Sequence, residues 1–191
     1  MTQQHKTLVH LALLYFISGL PFGFFADALP VYLRQQHVSL VDIGLASVLN
    51  LPWAFKPLWS PWVDRYASPR AWIFSSMLVV ILSICSLAMV SVGSPWFWAW
   101  LFLLPLFSAT QDIAIDGSFI HLCPSGLEGP ANSTRVSAYR IAMLVGGGAT
   151  VMLAGLWTWP SIFVAVAGLY AVAALPLRGM PLLVHKQPMA F

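Results

Sequence analysis

Six long runs of apolar residues follow one another along the chain, separated by polar, glycine or proline residues. Their bounds are 8–29, 40–60, 72–92, 95–118, 136–157 and 160–177. A helix that crosses a bilayer needs about 20 mainly apolar residues, whereas a strand of a membrane barrel needs only about 10 and alternates in polarity. The pattern therefore predicts an all-α integral membrane protein with six transmembrane helices.

The composition supports this class and excludes several others. Of the 191 residues, 59% are hydrophobic and 8% are charged, and the mean hydropathy is +0.81. A soluble domain has about 25% charged residues, and a core of this size could not bury so much apolar surface. Disordered, nucleic-acid-binding and disulfide-scaffold proteins are therefore excluded, and the lipid bilayer is the expected partner. The sequence indicates no metal site and no cofactor.

The basic residues predict how the chain is oriented in the membrane. With six spans, one side carries Arg34, and the other carries seven basic residues, namely Lys6, Lys56, Arg65, Arg70, Arg135, Arg178 and Lys186. Because loops rich in lysine and arginine stay in the cytoplasm, both termini are predicted to be cytoplasmic. Residues 1–177 then form one membrane domain, and residues 178–191 form a cytoplasmic tail.

Four charged residues fall inside the predicted spans, on the cytoplasmic half: Lys56, Asp112, Asp116 and Arg140. A charge at the centre of a membrane helix costs roughly 2.5–3.5 kcal/mol on insertion scales, so it needs a partner or a watery cavity. The i, i+4 spacing of the two acids puts both carboxylates on one face of the fourth span. Two interpretations stay open: a charge relay coupled to protons or substrate, and a static ion-pair clasp between helices.

Further polar residues lie at other depths. Asp27, near the opposite end of the first span, either contacts a substrate in a central cavity or meets water at the membrane interface. Gln111 and Ser108 on the fourth span either line a pathway or make hydrogen bonds between helices. The run Gly146-Gly147-Gly148 lacks the context of a phosphate-binding loop and is predicted to let a neighbouring helix approach closely.

Several short motifs occur in a characteristic order. The segment from Trp59 to Tyr66, which contains Asp64 and Arg65, is similar to the signature loop of the major facilitator superfamily, with Ser60 in place of its usual glycine. The others are Ser18-Gly19-Leu20-Pro21, Lys56-Pro57-Leu58-Trp59-Ser60-Pro61, Ser108-Ala109-Thr110-Gln111-Asp112 with Asp116, and Tyr139-Arg140 before Gly147-Gly148. Together they resemble the AmpG-type permeases of that superfamily, a branch that includes acetyl-CoA transporters.

The resemblance implies a function and a set of site residues. It implies the import of anhydro-muropeptides, which are small-molecule products of cell-wall breakdown, across the bacterial inner membrane, driven by protons. Asp64 and Arg65 would form a cytoplasmic gating loop. Arg140 or Lys56 would meet a carboxylate of the substrate. The polar set that the resemblance carries over to the fourth and fifth helices is Gln111, Asp112, Asp116 and Arg140.

The resemblance also implies an incomplete transporter, because members of this superfamily have two six-helix halves with the substrate site between them. The chain resembles the first half. It is therefore expected to be a fragment, a truncated product, or a half that pairs with a second half or a second copy. Two alternatives are a non-transporting remnant or assembly protein, and a transporter of another solute such as an acyl-CoA.

An enzyme is not expected. Asp112 and Asp116 lie on one helix, whereas the two acids of an intramembrane aspartyl protease come from different helices. His121 and Cys123 lie close together in the sequence, but no third group is evident to orient the histidine as a base.

Overall fold

The computed structural model describes residues 3–123 and 126–180, and its regular elements there are helices. Five of them are long and apolar enough to cross a membrane, and a sixth apolar helix is shorter. A short helix, called here the loop helix (Ser60–Tyr66), lies between the second and third. The membrane helices are α1 (Gln4–Gln35), the shorter α2 (Leu40–Ala54), α3 (Pro69–Met89), α4 (Pro95–Leu122), α5 (Glu128–Leu153) and α6 (Trp159–Gly179).

Three of these helices begin at a serine. The side chains of Ser39, Ser68 and Ser94 each accept a hydrogen bond from a backbone N–H in the first turn that follows. Such a cap satisfies one of the donors that a helix start leaves free. Proline follows directly at Pro69 and Pro95, where its missing N–H costs nothing. These starts lie within three residues of the predicted ones.

Helix α2 ends earlier than predicted. The apolar run to residue 60 suggested one continuous span, but the α-helix stops at Ala54, and a tight 3₁₀ turn (Lys56–Leu58) follows. Proline disfavours helical geometry in the residue before it and has no N–H to donate, so Pro57 accounts for the break. The prediction of six full-length spans is therefore met by five helices and a shorter one.

Helix α5 begins earlier than predicted. Residues 119–135 were expected to form a connecting loop, yet α4 continues to Leu122 and α5 starts at Glu128. The first turns of α5 are too polar to be predicted as part of a membrane span from hydropathy, although they belong to the same helix. As a result, Arg135 lies within α5 and not in a loop, and its side chain contacts α1 and α4.

Helices α1 and α5 pack closely along their length, and both widen into a π-helical turn where they meet, at Phe24–Ala28 and Leu144–Ala149. A Cβ atom added to Gly146 would lie within 3.0 Å of the Leu20 carbonyl oxygen. The prediction of close helix packing is therefore confirmed at Gly146 and also at Gly147. A Cβ atom on Gly148 would meet nothing within 4 Å.

The other helices complete a bundle around α1 and α4. Helix α3 packs against α4 and α6, and α1 packs against α4. Large apolar side chains such as Leu78, Met89, Val164 and Val172 remain exposed on the outer faces. Lipid is the solvent in which such a surface is stable, so the chain is a multi-pass membrane protein. Most of the predicted tail, residues 181–191 including Lys186, lies outside the described residues.

Candidate functional site

Helix α4 presents two aspartates to α1, one helical turn apart. The Ser18 hydroxyl donates a hydrogen bond to Asp112, and the Tyr15 hydroxyl donates one to Asp116 over 2.9 Å. Residues three and four apart share a helix face, so a pair of hydroxyls on α1 matches the pair of carboxylates on α4. The predicted common face of the two acids therefore lies against α1.

The buried Asp112 forms an ion pair with the partly exposed Lys56. The Lys56 Nζ atom lies 2.7 Å from Asp112 Oδ2, and the side chains are 25% and 4% exposed, respectively. Lys56 reaches α4 because the turn after α2 places it beside the bundle and not within a membrane helix. With Ser18 on one oxygen and Lys56 on the other, both Asp112 oxygens have partners, which a buried carboxylate requires.

Asp116 pairs with Arg135 of α5. The distance from Arg135 Nη2 to Asp116 Oδ1 is 3.1 Å, and the side chains are 39% and 42% exposed. The guanidinium also lies over two aromatic rings, with its Cζ atom 4.8 Å from the centre of Tyr15 and 5.5 Å from that of Phe119. This cation–π geometry orients Arg135, so the second acid is neutralised by a residue that was predicted to lie in a loop.

The two ion pairs form part of the wall of a cavity of about 380 Å³ that opens to the surface. Helices α1 and α5 contribute the other side chains. The lining residues are Tyr15, Ser18, Lys56, Asp112, Asp116, Arg135, Val136, Tyr139, Arg140 and Met143. Of the predicted pathway residues, the structure therefore brings together Lys56, Asp112, Asp116 and Arg140.

Arg140 occupies this cavity without the partner expected for it. Its side chain is exposed and makes no ion pair and no hydrogen bond with any described residue. The sequence suggested that Lys56 and Arg140 together would neutralise the two acids. Arg135 takes that place at Asp116 because it lies five residues earlier on α5, nearer the end of α4.

Gln111 faces a different part of the bundle. Its side-chain oxygen accepts a hydrogen bond from the buried Tyr170 hydroxyl of α6, and it does not line the cavity. Its Nε2 atom is buried and has no hydrogen-bond partner among the described residues. The contact joins α4 to α6, which agrees with the interhelical alternative for this residue.

The remaining predicted site residues lie outside the cavity. Asp27 is exposed in the π-helical turn of α1 and lies against Gly147, since a Cβ atom there would lie within 3.0 Å of the carboxylate. Asp64 and Arg65 are exposed on the loop helix. A Cβ atom on Gly117 of α4 would lie 3.7 Å from Asp64 Oδ1, so this acid sits beside α4.

Sequence reasoning missed Tyr15, Arg135 and Tyr139 as members of the site. Tyr15 and Ser18 are spaced i, i+3 on α1, and Arg135 and Tyr139 are spaced i, i+4 on α5. That spacing is the available signal, because it places each pair on one helix face. Within residues 3–123 and 126–180, no three histidine, cysteine or acidic side chains are grouped as metal ligands.

Comparison with known proteins identifies relatives of the chain. The sequence profile of the Major Facilitator Superfamily matches residues 11–188. The anhydromuropeptide permease of Escherichia coli (strain K12) is 30% identical over 175 residues, which cover 87% of this chain and 35% of the permease. An uncharacterized protein of Haemophilus influenzae is 35% identical, over 80% of this chain and 37% of that protein.

A Rickettsia conorii protein named as a candidate AmpG transporter is 28% identical, over 88% of this chain and 44% of its own length. The chain therefore spans less than half the length of these three relatives.

Proposed function

The chain belongs to the Major Facilitator Superfamily, and we propose that it works as the N-terminal half of a proton-coupled importer of anhydro-muropeptides in the bacterial inner membrane. Its similarity to a protein named anhydromuropeptide permease supports this substrate. The observation that carries the proposal is the ion pair between Lys56 and the buried Asp112 in the wall of an open cavity. Ionisable residues within membrane helices, such as Asp112, commonly mark substrate and proton pathways.

A six-helix half with both termini in the cytoplasm is supported by contacts at the two ends of the bundle. Trp159 Nε1 donates to Gln35 Oε1 over 2.7 Å at one end, and Arg70 Nη2 donates to the Arg178 carbonyl over 2.8 Å at the other. Because α6 runs from the first contact to the second, the chain also crosses the bundle between Gln35 and Arg70. Helix α2 makes this sixth crossing, and the loop helix with Asp64 and Arg65 is the cytoplasmic gate.

The proposed coupling is an exchange of partners at Lys56. While Asp112 is ionised, it holds Lys56 in the ion pair. When a substrate carboxylate binds Lys56, Asp112 is left as an unpaired buried anion, which is so unfavourable that it takes up a proton. Substrate and proton therefore bind together and leave together. Asp116 is proposed to extend the polar pathway on the same cavity wall, and Asp27 to extend it near the opposite end of α1. Gln111 serves the contact between α4 and α6.

Uptake by reconstituted protein tests the proposal. Proteoliposomes containing the chain are given radiolabelled anhydro-muropeptide with and without an inward proton gradient. We expect Asp112→Asn to abolish the stimulation by the gradient, because asparagine cannot exchange a proton, while Arg34→Gln on the exposed opposite end leaves it unchanged. Gradient-driven uptake that survives in both Asp112→Asn and Asp116→Asn would refute the relay in favour of the static clasp. Competition by an acyl-CoA identifies that solute as the alternative substrate.

A second candidate is a non-transporting remnant or assembly protein of the same family, since the chain spans only 35–44% of the relatives described above. The intact mass of the protein from its native membrane separates the two. A mass near twice the 21.0 kDa of this chain indicates a two-half permease. If the mass is 21.0 kDa, crosslinking in the membrane is the next experiment. A crosslinked dimer supports a cavity built from two copies, and a monomer supports the remnant protein.

A further inference from the structure

We propose that Arg140 is the anion-binding residue of the cavity and that it selects solutes carrying a carboxylate. The inference rests on the proposed function for the identity of the solute. The expected negative charge of the solute follows from the cavity itself. The structure distinguishes two residues that the sequence left as equal candidates. Lys56 is already held by Asp112 at 2.7 Å, whereas Arg140 has no ionic partner among the described residues.

The charges on the cavity wall leave one positive charge uncompensated. Three cations line the cavity, at Lys56, Arg135 and Arg140, and two anions, at Asp112 and Asp116. Each anion is paired with one of the first two cations. The surplus charge is therefore located at Arg140, so a solute carboxylate would bind there first, while both ion pairs are intact and before any exchange of partners at Lys56.

The depth of Arg140 makes an outside partner favourable. The residue lies near the middle of α5, whose 26 residues span Glu128 to Leu153. Because the first turns of α5 are polar, this position lies on the cytoplasmic half of the predicted span. A buried arginine costs roughly 2.5–3.5 kcal/mol at a helix centre and needs water or an anion here too. The open cavity gives Arg140 access to water. A bound anion would supply the negative charge that no described residue provides to it.

The chemistry of the side chain favours a carboxylate. The guanidinium is planar and offers paired N–H donors that match the two oxygens of a carboxylate. The same cavity is also lined by Tyr139, Val136 and Met143. The site therefore combines one charged fork with an apolar and aromatic surface, which suits a solute that carries a carboxylate on a larger uncharged body.

The first test measures the local charge and needs no transported solute. In a background with Cys85→Ala and Cys123→Ser, the exposed cavity residue Val136 is changed to cysteine. Its reaction rates with an anionic sulfonatoethyl and a cationic trimethylammonium-ethyl methanethiosulfonate are then compared. We expect Arg140→Gln to lower the preference for the anionic reagent about threefold or more, as one charge at this range allows. The Arg140→Lys variant should keep most of this preference, and the Arg34→Gln variant should keep all of it.

An unchanged reagent preference in Arg140→Gln would overturn the proposal, and so would an equal fall in Arg34→Gln. The second test compares the binding of an anhydro-muropeptide with that of the same compound whose carboxylates are amidated. We expect the unaltered chain to bind the free acid more tightly than the amide. Arg140→Gln should weaken the binding of the free acid by about ten- to hundredfold and leave the binding of the amide unchanged. Equal weakening of both ligands would overturn the selectivity.

If neither ligand binds while the reagent preference still depends on Arg140, the muropeptide function fails. The proposal of an anion site at Arg140 then holds, and its solute is another compound that carries a carboxylate.

Discussion

Helices α1 and α5 meet along two stretches that differ in chemistry. Toward the start of α5, an open polar cavity is lined by Tyr15 and Ser18 of α1 and by Arg135 and Tyr139 of α5. Further along, glycines bring the two backbones into direct contact, as at Gly146. The backbones also touch beside the cavity, where a Cβ atom on Gly19 would lie 2.5 Å from the Tyr139 carbonyl oxygen. Large polar side chains therefore line the cavity at the edge of this interface, while glycines keep the two backbones together. The same pair of helices therefore lines the cavity and forms the close contact at Gly146, called here the seal, farther along α5.

The largest expected effect comes from breaking the ion pair inside the cavity. We expect Lys56→Met to lower the free energy of unfolding by about 3 kcal/mol or more, because it leaves the buried Asp112 carboxylate uncompensated. Denaturant unfolding in detergent micelles measures this loss. The matched variant Lys56→Met with Asp112→Asn should recover most of it, since neither charge remains. A double variant as unstable as the single one would contradict this account.

Disturbing the seal should have an intermediate effect. Gly146→Ala places a methyl group within 3.0 Å of the Leu20 carbonyl, and overpacking of this kind costs about 1–3 kcal/mol. The neighbouring variant Gly148→Ala is the control, because its Cβ atom would meet nothing within 4 Å, and alanine is favoured over glycine in a helix. Thermal unfolding of the two variants should diverge. Equal melting temperatures would mean that the backbone contact adds little to the seal.

The smallest effect is expected at the half-exposed pair. Arg135→Gln should cost about 1 kcal/mol or less, since exposed ion pairs are weak and are screened by salt. Its destabilisation should shrink as the salt concentration rises, while that of Lys56→Met should persist. Unfolding at low and high salt provides the measurement. A persistent, large effect at Arg135 would show that the aromatic rings of Tyr15 and Phe119 contribute more than its charge pair.

Much of the fold was accessible from hydropathy, because burial in lipid requires a long apolar run wherever a helix crosses. The start of α4 at Pro95 was predicted to the residue, since an apolar run, a serine cap and a proline coincide there. The end of α2 was wrong because Pro57 breaks a run that stays apolar. The start of α5 was wrong because a helix continues into polar sequence without any change in its backbone geometry.

The candidate site was predicted in part. Asp112 and Asp116 were placed on one helix face by their spacing alone, and Lys56 was expected beside them. Arg140 was expected to pair with an acid, yet Arg135 forms that pair. Spacing along one helix can be calculated from the sequence, whereas the rotation and offset between two helices depend on how all their side chains pack.

The sequence by itself determined that this chain is helical, that it lies in a membrane, and that four charges need compensation within it. Those properties follow from the solvation of each residue and from helical periodicity, which are local. Only the tertiary structure decided which cation meets which acid, where α1 and α5 touch, and which charge stays unpaired in the cavity. Those outcomes depend on distances of a few ångströms between residues far apart in the chain, such as Lys56 and Asp112, and the packing of the whole bundle sets such distances.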